Sequence, residues 1–312
     1  MSRTPRHSCG ALEPLGAGLH RPECVVVRDD GIYVPDWRGG VTRIAADGSQ
    51  QTWLAGQPAV ELRPNGIDVL PDGSFLLANL GDAGGVWQLH RDGTLRPFLI
   101  EVERRPLPPA NFVVRDGDRT WISVSTRQVP RQRAWRPDVA DGFVVLVDRG
   151  GARVAADGLH YTNEVRPGPD GTSLYVVETF ARRLTRFRMA ANGDLSRKEA
   201  LVTLGHGCFP DGFAFDRRER IWITSLISNR LLRLDRRGIT TMIEDVDAGY
   251  VEAVERAFAG GDMRKEHLGP IPGTSLQQLT SVAFGADSKT IYLGSLHADC
   301  IYRLGIGEDA VR

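Results

Sequence analysis

The chain has 312 residues, about twice an ordinary single domain, with 41% apolar and 25% charged residues. Its 39 Lys plus Arg balance 39 Asp plus Glu, so the net charge is zero and the basic surplus of a nucleic-acid binder is missing. Disordered, collagen-like and membrane-spanning classes are excluded for the whole chain, and 35 Gly with 18 Pro point to many turns.

From the N-terminus, the first twenty residues hold no apolar run that could serve as a signal-peptide core, which predicts a cytoplasmic protein. Cys9, Cys24, Cys208 and Cys300 are scattered and form no CxxC pair, so buried free thiols are expected.

Six segments share one grammar: a short apolar run, an Asp/Gly-rich turn, an alternating β-branched or aromatic run, and a hairpin. They are ECVVVRDDGIYVPDWRGGVTRIAADGS, NGIDVLPDGSFLLANLGDAGGVWQLHRDGT, NFVVRDGDRTWISVSTR resuming as DGFVVLVDRGG, NEVRPGPDGTSLYVVETFARRLTRFRMAANGD, DGFAFDRRERIWITSLISNRLLRLDRRG and TSVAFGADSKTIYLGSLHADCIYRLGIGED. Starts at 23, 65, 111, 163 and 211 give steps of 42, 46, 52 and 48 residues, the period of a four-stranded propeller blade. Period-two alternation, as in Ile221-Trp222-Ile223-Thr224, indicates strands. The sequence therefore predicts one all-β domain over 1–312, a six-bladed β-propeller. The stretch from Leu12 to His20 belongs to none of the six repeats and is expected to supply the outer strand of the last one. Two insertions break the rhythm. Residues 127–141 carry Arg127, Arg131, Arg133 and Arg136 with Trp135 and are expected to form a lid. Residues 247–279 hold a helix with Val251, Val254 and Phe258 on one face, stopped by Gly260-Gly261, between blades five and six.

In such a wheel the residue opening each inner strand points at the axis. Those residues are Glu23, Asn65, Asn111, Asn163 and Asp211, with Thr280 or Ser281 at blade six. Carboxylates with amide oxygens suit a hard divalent cation, Ca²⁺ first, with Mg²⁺, Mn²⁺ and Zn²⁺ as alternatives. Taken singly, Asn65-Gly66 and Asp211-Gly212 are turn dipeptides, and only their recurrence argues for a site. Glu23, beside Pro22 and Val25-Val26-Val27, has no role in a turn and needs a counter-charge if buried. Asn65 is placed to orient substrate or water, and Arg127, Arg133 and Trp135 to clamp an anionic group. His297 reads as packing, and His160, Tyr161, His206 and Cys208 fall near the mouth with no assigned role.

RPEC at Glu23, TNEV at Asn163 and FPDGFAFD at Asp211 resemble the signatures of the gluconolactonase/regucalcin family, and the likeness runs on to LTSVAFG and IYLGSL in blade six. The resemblance implies a central divalent metal on Glu23, Asn163 and Asp211, with Asp211 as general base. Similarity to the wider six-bladed metal hydrolases adds Asn111, both as a ligand and at the substrate. Sugar-lactone members open blade three with Arg-x-Asn-Asp. Here Pro108-Pro109-Ala110-Asn111-Phe112 puts an apolar Phe112 beside the substrate instead, which argues against a polyhydroxylated ring. The expected activity is metal-dependent hydrolysis of a cyclic ester. The alternatives are another reaction on the same metal (phosphotriesterase, lyase or cyclase) or a metal-stabilised module that binds a small molecule. A small-molecule substrate is expected, with neither nucleic acid nor membrane as partner.

Overall fold

A computed structural model describes residues 9–306. Six four-stranded antiparallel sheets stand around one axis as a six-bladed β-propeller. Blade one is Val26–Arg28, Gly31–Asp36, Gly40–Ile44 and Gln50–Leu54, and blade two Pro64–Val69, Phe75–Asn79, Val86–Leu89 and Leu95–Leu99. Blade three is Ala110–Asp116, Arg119–Val124, Gly142–Asp148 and Gly151–Leu159. Blade four is Ser173–Glu178 and Arg183–Met189 between Thr162–Pro167 and Leu195–Thr203. Blade five is Pro210–Phe215, Ile221–Ser225, Arg230–Asp235 and Gly238–Glu244.

Blade six takes Leu279–Phe284, Thr290–Ser295 and Ile301–Ile306 from the C-terminal side, and Cys9–Leu15 completes it. Leu12 pairs with Leu304 and Leu15 with Ile301, so the N-terminal stretch outside the repeats covers what would be an open edge. The strand starts three residues before the predicted Leu12. Residues 307–309 of the sixth repeat and the Cys9 side chain lie outside the described residues, while Cys24, Cys208 and Cys300 are free thiols.

The turns account for much of the glycine excess. In Asp47-Gly48-Ser49, Asp72-Gly73-Ser74 and Asp92-Gly93-Thr94 the glycine has φ of +83°, +82° and +86°. In each, the Asp carboxylate accepts the N–H two residues on, at 2.9, 2.9 and 2.8 Å. This is the side-chain-locked turn that Asp and Gly form together. Between blades the faces are apolar, with Tyr33, Trp53 and Phe75 in mutual ring contact.

One irregularity recurs in five blades. The inner strand slips register between Pro64 and Ile67, Ala110 and Phe112, Thr162 and Val165, Pro210 and Phe213, and Leu279 and Val282. A bulge frees a residue from the ladder and re-aims its side chain. The freed residues include Asn65, Asn111, Asn163, Asp211 and Thr280, each the second residue of its strand rather than the first.

The two insertions meet. Arg131–Ala134 forms a short 3₁₀ turn, and Ala248–Ala259 is an α-helix whose first turn is capped by Asp247, which accepts from Tyr250 N at 2.6 Å. Val251, Val254 and Phe258 are buried as the spacing predicts, in one apolar cluster with Ala134 and Trp135. Among the described residues no helix is long and apolar enough to cross a membrane.

Glu178 at the end of its strand is fully buried. Its carboxylate accepts from Arg183 Nε and Nη2, both at 2.8 Å, from Thr185 Oγ1 and from His160 N. Burial alone would raise its pKa, but these donors outweigh it and bring it down to about 2. The stabilisation is complete above the unfolded value near 4.5 and is lost as pH falls through about 2. Glu178→Gln should therefore cost on the order of 3 kcal/mol at pH 7, and the gap to the parent should narrow in urea titrations taken progressively from pH 4.5 towards pH 2.

Candidate active site

The bulged residues line the hub. Asn65, Asn111, Asn163 and Asp211 are buried at 5% exposure or less, and Glu23, just ahead of blade one, at 7%. Asn163 Nδ2 donates to Asp211 Oδ1, in a contact tighter than an ordinary hydrogen bond, and to Thr179 Oγ1 at 3.3 Å. Asn65 Nδ2 donates to Asn111 O at 3.1 Å, and Asn65 Oδ1 is buried without a partner. Blade six faces backbone instead: Thr280 Oγ1 donates to Glu23 O at 2.7 Å, and Ser281 Oγ accepts from Val25 N at 3.0 Å. Those two residues fix where Glu23 sits.

The glycines beside the hub residues make no turns. A Cβ on Gly66 would lie 2.6 Å from Phe112 Cα, and one on Gly212 would lie 2.5 Å from Thr280 O and 2.7 Å from Glu164 Oε1. Both glycines are in inner strands and are required because the next blade's strand approaches too closely for a side chain. The turn reading of Asn65-Gly66 and Asp211-Gly212 is corrected accordingly.

Three carboxylates share this region with two guanidinium groups. Arg21 Nε donates to Glu23 Oε2 at 2.7 Å while its guanidinium lies 3.9 Å over the Trp37 ring. Arg166 Nη2 donates to Glu164 Oε2 at 2.8 Å. Asp211 has no ion pair among the described residues. Burial first, then the charges of Glu23 and Glu164, push its pKa well above the ordinary carboxylate range. A buried carboxylate without a counter-ion is costly, so the hub is short of positive charge.

Among the described residues no three His, Cys, Asp or Glu side chains converge on one point. The hub set is two carboxylates, Glu23 and Asp211, completed by the amides Asn163 and Asn111. That chemistry fits a hard divalent cation. The uncompensated Asp211 is the feature a cation there would relieve.

Above this floor is a cavity of about 800 Å³. Glu23, Asn111, Asn163 and Asp211 line it, and so does Trp135 from the lid, whereas Asn65 lies behind Asn111. The other sequence-derived positions differ. Phe112 is 3% exposed in the core between blades, under the Arg166 guanidinium at 5.0 Å, and does not line the cavity. Its ring follows the bulge and turns inward, where the apolar blade faces need it. Arg127 pairs with Asp157 at 2.8 and 2.9 Å and stacks on Phe143, and the exposed Arg133 also lies off the lining. Arg131 is the lid arginine that lines the cavity.

Sequence reasoning assigns no site role to Arg21, Trp37, Tyr161, Thr179 or His297, all of which line the cavity. His297 is exposed and its Nε2 lies 2.6 Å from Leu268 O, so it belongs to the cavity rim rather than to core packing. Arg21 was findable, since a cation two residues from an isolated buried Glu is its natural partner. The other four come together only through blade geometry.

Comparison with known proteins agrees with this architecture. The chain belongs to the SMP-30/gluconolactonase/LRE-like family, whose model matches residues 23–266. The adipocyte plasma membrane-associated protein Hemomucin of Drosophila melanogaster is 23% identical over 238 residues, 70% of this chain, and the chain spans about 40% of that relative's length. Among solved structures, a gluconolactonase from Xanthomonas campestris is 17% identical with a TM-score of 0.69, covering 95% of this chain and 89% of that one. The calcium-binding protein regucalcin from Agrobacterium tumefaciens is 17% identical, TM-score 0.60, covering 94% and 90%. Virginiamycin B lyase from Staphylococcus aureus is 14% identical, TM-score 0.59, covering 95% and 99%. At these identities the structures share the fold, across more than one chemistry.

Proposed function

We propose that the protein is a divalent-metal-dependent hydrolase of a cyclic ester. The observation that carries this reading is Asp211: a buried carboxylate without an ion pair among the described residues, close to Glu23 and against Asn163, on the floor of a large cavity. Glu23, Asn163 and Asp211 would hold the cation with Asn111 beside them, and a bound cation supplies Lewis-acid polarisation of a carbonyl. Asp211, buried on the cavity floor against Asn163, is placed to take the proton of the attacking water at a carboxylate oxygen. Asn65 holds Asn111 in place from behind. One part of the wall carries Trp135, Phe180, Phe209, Leu226, Ile227 and Leu296, which gives apolar ring substituents a place to pack, while Glu61, Arg63, Asp82 and Lys265 make the rest of the lining charged.

The partner is a free small molecule, and zero net charge gives the surface no general pull on nucleic acid. Free thiols suit a reducing compartment such as the cytoplasm.

The test is a panel of alkyl lactones, aldonolactones, aryl esters and phosphotriesters. It is assayed after chelation and after adding back Ca²⁺, Mg²⁺, Mn²⁺ or Zn²⁺. Alkyl lactone turnover should be lost on chelation and restored by one of these ions. Phosphotriester preference would move the reaction elsewhere on the same scaffold. Ligand binding without turnover under every ion would make the protein a binding propeller.

A further inference from the structure

We infer that Tyr161 is the hydrogen-bond donor for the second ester oxygen of the substrate, held in position by Arg131 and Trp135. Two observations carry this: the residue's place in the cavity wall and the donors gathered on its oxygen. Tyr161 lines the cavity two residues before Asn163, at 6% exposure, with φ of +58°. The same left-handed backbone recurs at Arg21 and Gln278, two residues before Glu23 and Thr280, so it belongs to the way the chain enters a blade and sets where the ring is aimed.

The phenol oxygen is fully subscribed as an acceptor. Arg131 Nε and Nη2 donate to it at 2.9 and 2.7 Å, and Trp135 Nε1 donates at 2.7 Å. A phenol oxygen has two lone pairs; the Arg131 fork shares one and Trp135 takes the other, so what Tyr161 has left to offer is its own O–H. That hydrogen has no acceptor among the described residues. Arg131 has no carboxylate partner among the described residues either, unlike Arg127 and Arg136 on the same lid, which pair with Asp157 and Asp138. Its guanidinium is committed to the phenol. The ring itself is steadied by Phe180, with centroids 4.6 Å apart.

The chemistry supplies the role. In ester hydrolysis the carbonyl oxygen is the atom that a cation held on the carboxylate–amide floor would polarise. The alkoxy oxygen gains negative charge as its bond to carbon breaks, and it needs a donor of its own. Arg131 and Trp135 direct their side-chain N–H groups to the phenol oxygen and act as positioning residues.

This assignment rests on the hydrolase reading, and the experiment separates the two. Tyr161→Phe removes one oxygen and keeps the ring. For an alkyl lactone, whose leaving oxygen is strongly basic, kcat/KM should fall about 100-fold. For a p-nitrophenyl ester, whose leaving oxygen needs no help, the loss should stay under about 3-fold. Arg131→Met should show the same split at smaller amplitude, with circular dichroism and Tm confirming the fold. A second measurement needs no turnover: the same lactone titrated into chelator-treated protein and followed by tryptophan fluorescence, where Tyr161→Phe should weaken Kd about 5-fold. Equal losses on both substrates, or unchanged binding, overturn the assignment. Tyr161-dependent binding in a protein that hydrolyses nothing overturns the hydrolase reading and leaves the donor role standing. A parent protein that neither binds nor hydrolyses the lactone overturns both.

Discussion

Asp211→Asn is expected to reduce cyclic-ester hydrolysis by at least about 1,000-fold and to weaken divalent-cation binding beyond detection in an ordinary calorimetric titration. The substitution keeps shape and removes a charge, so the loss reports the charge. The metal-free protein should respond in the opposite direction. Burial and the neighbouring carboxylates raise the Asp211 pKa above 3.8, so the folded state keeps a proton where the unfolded chain has released it. Stability therefore falls as pH rises above 3.8, until the folded pKa is passed. Glu164, also raised by burial, adds in the same direction. In chelator-treated protein Asp211→Asn should raise Tm at pH 8 by several degrees and by less at pH 4.5. A melting series across that range checks it, and a metal-free parent as stable at pH 8 as the variant would contradict the charge deficit at the hub.

Gly212→Ala should be among the most disruptive single-methyl changes near the site. The added carbon would lie 2.5 Å from Thr280 O and 2.7 Å from Glu164 Oε1, and the first of these is backbone that cannot swing aside. Either the inner strands of blades five and six part, or Asp211 next door shifts. Overpacking of this kind costs about 1–3 kcal/mol or more, and a displacement of about 1 Å in a catalytic group can cost about 100-fold in rate. Differential scanning fluorimetry with lactone assays should show Tm and turnover falling together. Gly238→Ala would serve as control, because nothing lies within 4 Å of its added carbon, though φ of +112° carries its own backbone penalty.

The propeller was legible because its signal is repetitive. Apolar runs at steps of 42 to 52 residues, with Asp-Gly turns between them, admit few other architectures. The hub residues were legible for the same reason, each falling at the same place in its repeat. What stayed hidden depends on single-residue offsets. Phe112 follows Asn111 directly, and the bulge between Ala110 and Phe112 decides which one faces the tunnel. Asn111 does and Phe112 fills the core. Among the lid arginines, the sequence reading chose Arg127 and Arg133 for the clamp and passed over Arg131. Partners in space separate them: Asp157 holds Arg127 outside, and Tyr161 holds Arg131 within. Neither partner lies close enough in sequence to be read beforehand.

The chain closes its ring by laying Cys9–Leu15 along Ile301–Ile306, and backbone pairing holds the strands at that seam. Glu23 stands just on the N-terminal side of it and Asp211 on the other, with Thr280 already reaching across to the Glu23 carbonyl. A ligand that grips both carboxylates is therefore a clasp: it raises the work of prising the first and last blades apart by its own binding free energy. Loading the site and resisting unzipping from the ends would then be two readings of one equilibrium.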